Sequence, residues 1–212
     1  MIPAVTPTER AGRVGLKLFA GLVLVFLMAP VLVIIPLSFN AEPYFTYPMP
    51  GWSTRWYEAL FTGPEWRTAL FNSVVVATAA TALATTLGTL AALGLSRRDF
   101  PARGLVMGLL ISPMVVPLVI TAVGVYFFYA RIGLAHSLTG LVVAHTVLAT
   151  PFVVITVTAA LSKLNLRLPQ AAASLGARPS VVFRRVTLPL ILPGILSGAL
   201  FAFITSFDEV VV

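Results

Sequence analysis

Cysteine is absent from this chain of 212 residues, and charge is scarce, with 14 basic and 7 acidic side chains making up only 10% of it. The first absence excludes disulfides, thiolate metal sites and thiol catalysis. The second stands against about 25% charged residues in an ordinary soluble domain. With 58% apolar residues and a mean hydropathy of +0.99, it argues against a soluble enzyme, because one core of this size cannot take up so much apolar surface. Also missing is a Gly-x-x-x-x-Gly-Lys-[Ser/Thr] phosphate loop, so no ATP hydrolysis is expected here. There is no internal repeat and no low-complexity segment. The two histidines, His136 and His145, are poorly spaced for one metal site on one helix, and no Ser/His/Asp grouping accompanies them. No catalytic residue, metal or cofactor is therefore expected.

What the chain has is apolar length. A spanning helix needs about 20 apolar residues, and five stretches qualify: Leu18–Leu37, Ala69–Leu95, Leu105–Tyr129, Leu138–Leu161 and Leu188–Phe207. The first is too long for the apolar part of a signal peptide, usually about 7–15 residues, and reads as a retained helix. Pro113 and Pro117 in the third and Pro193 in the fifth predict kinks. The fold class is all-α, a polytopic transmembrane bundle.

The net charge of +7 reports topology rather than nucleic-acid binding. Eleven of the 14 basic residues fall on one side: Arg10, Arg13 and Lys17 before the first span, Arg97, Arg98 and Arg103 before the third, and Lys163, Arg167, Arg178, Arg184 and Arg185 before the fifth. Arg55, Arg67 and Arg131 fall on the other. Cytoplasmic loops carry the basic excess, so residues 1–17 are a cytoplasmic segment, 18–37 the first span, 38–68 an extracytoplasmic loop and 69–212 the core. The loop 38–68 is rich in aromatics, and Trp52–Phe61 predicts a short helix in the headgroup region. An interfacial belt is the simpler account of these rings, and a docking surface for an outside partner the sharper one. The same choice attaches to Tyr126, Phe127, Phe128 and Tyr129: a belt is favoured, while Tyr126 and Tyr129, one turn apart, keep a cation cage open. Asn72 reads as an interhelical packing residue.

The connection 163–187 is the longest and most basic on the cytoplasmic side. Pro169–Leu175 predicts a two-turn helix, with proline in its first turn and alanines after it. Gly176 fits a left-handed cap. A second short helix is expected over Ser180–Val186, with Arg184 and Arg185 at its negative end.

In this connection Gln170-Ala171-Ala172, three residues, Gly176, nine residues, Val186, one residue, Leu188-Pro189 resembles the Glu-Ala-Ala loop of ABC importer permeases. Gln170 stands where that pattern has glutamate, and Val186 where it has isoleucine. Ser53-Thr54-Arg55-Trp56-Tyr57 with Phe71-Asn72-Ser73, and Arg97-Arg98-Asp99-Phe100-Pro101, resemble further parts of the same domain. Ser206-Phe207-Asp208-Glu209-Val210-Val211 is similar to the spermidine/putrescine branch. The resemblance implies a type I importer permease of the bacterial inner membrane, with a sixth span expected beyond Val212. It implies a cytoplasmic ABC ATPase dimer that hydrolyses ATP, a second permease subunit and an extracytoplasmic solute-binding protein as partners. It also implies that Gln170, Ala171, Ala172, Gly176, Val186, Leu188 and Pro189 form the ATPase-coupling loop. The adjacent acids Asp208 and Glu209 are candidates for the path of a polyamine, with the water boundary of the helix as the plainer account. A secondary transporter or channel without an ATPase is the alternative. That class carries inverted repeats and intramembrane ionisable pairs, neither of which is visible here.

Overall fold

The computed structural model describes residues 7–97 and 99–211, so Arg98 and the start of the predicted cytoplasmic segment, 1–6, lie outside the described residues, as does Val212. The described chain is helical throughout apart from its connections and falls into two compact units, Met1–Thr68 and Ala69–Val212.

In the first unit, helix α1 (Pro7–Leu37) starts well before the first apolar stretch. Residues 7–17 are helical and continuous with the apolar stretch, forming its polar opening turns. Side chains of α1 such as Leu22 and Phe26 are exposed, and an apolar helix open on all sides matches a hydrocarbon surrounding. The connection after it is organised by Asn40, which is 2% exposed. Its Nδ2 donates to the Tyr44 carbonyl at 2.8 Å and to Thr46 Oγ1 at 3.2 Å, and its Oδ1 accepts from the Glu42 amide at 3.1 Å. The Trp56 indole donates to the Asn40 carbonyl at 2.9 Å. The expected short helix is α2 (Arg55–Thr62). Trp52 stays outside it, paired by backbone with Asn40 and stacked at a tilt on Phe39.

The second unit is built on α3 (Pro64–Leu95, its residues from Ala69 on), α6 (Leu138–Ser162) and α9 (Leu188–Asp208). Ala84 and Ala92 of α3, Ala149, Val153 and Val157 of α6, and Ile191 and Ala202 of α9 form one buried cluster. Small residues dominate because helices in lipid gain little from apolar burial and associate through close van der Waals packing. Gly198 shows how close: a Cβ there would lie 2.5 Å from Thr156 Oγ1 and 2.9 Å from Val153 Cα.

The third stretch departs from expectation. In place of one kinked span over Leu105–Tyr129 there are two helices, α4 (Arg103–Val115) and α5 (Leu118–Ile132), bent by 102°. Proline disfavours the α region for the residue before it. Val116, ahead of Pro117, is extended at φ −72°, ψ 131°, so the break falls there. Pro113 is absorbed inside α4. Among the described residues four helices are long and apolar enough to cross a membrane, or five spans if the bent pair counts as one.

Candidate functional site

At one end of the second unit lies the connection between α6 and α9. Helix α7 (Arg167–Ser174) opens with the Asn165 carboxamide oxygen accepting from the Arg167 amide at 3.0 Å, a side-chain turn that starts the helix. Pro169 sits in its first turn, as expected. At its end the Gly176 amide donates to the Ala173 carbonyl at 2.9 Å and the Ala177 amide to the Ala172 carbonyl at 3.2 Å. This pair of bonds is a Schellman cap, which needs a left-handed residue, and Gly176 supplies φ +84°.

The second short helix is not separate. Helix α8 (Pro179–Val182) passes into a π-helical turn, Phe183–Thr187, and straight on into α9. The continuous helical stretch runs Pro179–Asp208. Pro189 gives the physical reason: its ring crowds the carbonyl four residues back and it has no amide to offer, and a wider turn relieves both. In that turn the Leu188 amide reaches the Phe183 carbonyl.

The residues expected to form a coupling loop therefore divide between two elements. Gln170 and Ala171 are exposed on α7 and Ala172 is half-buried there; Val186 and Leu188 are half-buried in and after the π turn, and Pro189 is exposed. Helix α7 packs against both α8 and the π turn. Leu175, just before the cap, is 89% exposed. An apolar tip beside an alanine face is a surface suited to a helix-in-groove contact.

At the other end of the unit, where α3 and α6 begin and α9 ends, a cavity of about 270 Å³ opens, with Asn72, Ser73, His145, Ser206 and Glu209 as the polar half of an otherwise apolar wall. His145 and Ser206 are 6% and 4% exposed, and His145 Nδ1 lies 2.8 Å from Ser206 Oγ. The two candidate acids separate here. Glu209, half-buried, lines the cavity, and its Oε1 accepts from the Val211 amide at 2.7 Å. Asp208 ends α9, is exposed and does not line it. Asn72 reads from the sequence as a packing residue, and His145, buried and bonded to Ser206, is a satisfied histidine. Both stand in the wall of this cavity. The readable signal was that polar side chains inside otherwise apolar spans are functional candidates by default.

A second cavity of about 310 Å³ adjoins it, with Leu141 in both walls. Tyr126 and Tyr129 of α5 and His136 line this one.

An apolar bundle with an exposed small-residue connection at one end and a cavity with polar wall residues at the other has the frame of a membrane transport protein. Residues 84–212 match the family described as binding-protein-dependent transport system inner membrane component, and the chain belongs to that family. The spermidine/putrescine transport system permease protein PotC of Haemophilus influenzae is 34% identical, over 92% of this chain and 75% of the relative. The putrescine transport system permease protein PotI of Escherichia coli is 35% identical, over 88% of this chain and 69% of the relative. The molybdenum transport system permease protein ModB of Mycobacterium bovis is 36% identical over 74% of this chain and 64% of the relative.

Proposed function

We propose that this chain is the membrane-spanning subunit of an ATP-driven importer that moves a polyamine such as spermidine or putrescine inward. Its N-terminus and the α7 connection face the cytoplasm, a reading that the distribution of basic residues supports. A separate ABC ATPase dimer receives α7 and the π turn, with Leu175 and the alanine face in its groove. A second permease subunit completes the path, and an extracytoplasmic binding protein delivers the solute.

The observation that carries the cationic reading is the Glu209 carboxylate in a cavity with Asn72, Ser73, His145 and Ser206. A polyamine ammonium leaving water needs replacement for its hydration. A carboxylate supplies a charge-assisted hydrogen bond, and neutral oxygens fill the remaining donor directions. The names of the PotC and PotI relatives support the same solute class.

The test is uptake into vesicles by the protein assembled with its partner subunits, with labelled putrescine and labelled molybdate offered separately. ATP-dependent putrescine accumulation is the expected result. Molybdate accumulation alone would overturn the solute class, and accumulation without any ATPase would overturn the coupling. Reporter fusions in the 97–103 connection test orientation, and an outside location would sink it.

A further inference from the structure

We infer that the cavity lined by Tyr126, Tyr129 and His136 is a second ammonium subsite, so that the path holds a linear diamine end to end rather than a lone amine. This rests on the polyamine reading above and extends it to a binding mode.

The two cavities share a wall. Leu141 lines both, and the consecutive residues Val210 and Val211 line the first and the second respectively. They differ in chemistry. The Glu209 cavity offers a carboxylate and neutral polar groups. The neighbouring cavity of about 310 Å³ is lined by aromatic rings and apolar side chains, with no acidic residue among the described residues of its wall. Its rings are set in place. Tyr126 and His136 meet edge to face at 6.0 Å between centroids. His136 is held at φ +58°, a conformation uncommon outside glycine and one that concentrates at functional sites. Ser137, also in the wall, has its hydroxyl occupied, donating to the Leu134 carbonyl at 2.7 Å and accepting from the Gly140 amide at 3.0 Å.

A linear diamine has the matching alternation: charge, methylenes, charge. One ammonium meets the Glu209 carboxylate. The methylenes cross the apolar Leu141 partition. The second ammonium rests against the tyrosine faces, where the ring quadrupole attracts a cation without a second carboxylate. Both volumes lie at or below the lower end of the range of about 300–1,000 Å³ for drug-sized ligands, which suits a narrow, flexible chain.

The experiment uses the purified permease–ATPase assembly without its binding protein, so that the delivery step does not mask the permease's own selectivity. Binding of labelled putrescine and labelled butylamine is measured by equilibrium dialysis. Putrescine is expected to bind about tenfold more tightly than butylamine. Replacing both rings, Tyr126→Leu with Tyr129→Leu, should bring putrescine down to the butylamine level, whereas Tyr126→Phe with Tyr129→Phe should keep most of the difference, since phenylalanine retains the ring face. Unaltered putrescine preference in the leucine pair would overturn the subsite. A series of diamines of increasing length on the unmodified protein gives a check that needs no substitution. Affinity should peak at one length, and a steady rise with methylene number would mean apolar partitioning and overturn the inference. Failure of every amine to bind the unmodified assembly would overturn the cationic reading itself.

Discussion

His145 Nδ1 and Ser206 Oγ lie 2.8 Å apart, both buried, and join α6 to α9 across 61 residues of sequence. The bond sits in the wall of the Glu209 cavity. Interhelical hydrogen bonds of this kind average about 0.6 kcal/mol in membranes. Ser206→Ala should therefore lower the unfolding midpoint in detergent only slightly. Polyamine uptake should fall further than that small loss explains, because the histidine loses the partner that fixes its ring in the cavity wall. Equal, small losses in both measurements would assign the pair to packing alone.

Glu209 and Asp208 are neighbours in sequence but not in the cavity. Removing charge while keeping shape separates them. Glu209→Gln should weaken putrescine transport about tenfold or more, since a hydrogen bond to a charged group contributes about 1.5–3 kcal/mol. Asp208→Asn should change it by less than about threefold, as expected of an exposed charge. Transport rates against putrescine concentration decide it, and a larger effect at Asp208 would move the path to the other side of α9.

Gly176→Val tests the cap of α7. Nothing lies within 4 Å of a Cβ at this position, so the cost is conformational, about 1–2 kcal/mol for a side chain in left-handed backbone. The spans should still assemble, while ATPase co-purification and uptake are reduced together. Gln170→Glu should leave α7 intact and keep or improve ATPase binding. Normal coupling in the valine variant would detach α7 from the ATPase.

Gly198→Val tests the closest helix contact. Unlike the change at Gly176, it drives atoms into Thr156 and the Val153 backbone, and overpacking of this kind costs about 1–3 kcal/mol. Loss of folded protein in detergent is expected, with Gly198→Ala intermediate between the two. Wild-type yield from the valine variant would show that α6 and α9 separate without penalty.

The spanning segments were legible because apolar length is a local property: Leu138–Ser162 departs by one residue from the run that announced it. The left-handed Gly176 was legible for the same reason, since a cap depends on its immediate neighbours. What escaped was set by context. Two prolines four residues apart look alike in sequence, yet only Pro117 breaks the chain, with extended Val116 before it, while Pro113 stays within α4. The continuity of the expected second short helix with α9 escaped because a π turn has no composition of its own. The partnership of His145 with Ser206 depends on how α6 packs on α9, which no spacing within either helix reveals.

The π turn at Phe183–Thr187 sets the phase of everything beyond it. Each residue of an α-helix advances the azimuth by about 100°, so a single deletion inside this turn would re-clock all of α9 relative to the α7 surface. Ser206 would leave His145 and Glu209 would leave the cavity, although no residue there had been altered. Over the 21 residues of α9, about 30 Å at 1.5 Å per residue, the helix behaves as a shaft whose angular setting is established at the α7 end and read at the other. A twist or loosening of that one turn changes the Glu209 cavity without any displacement along the axis.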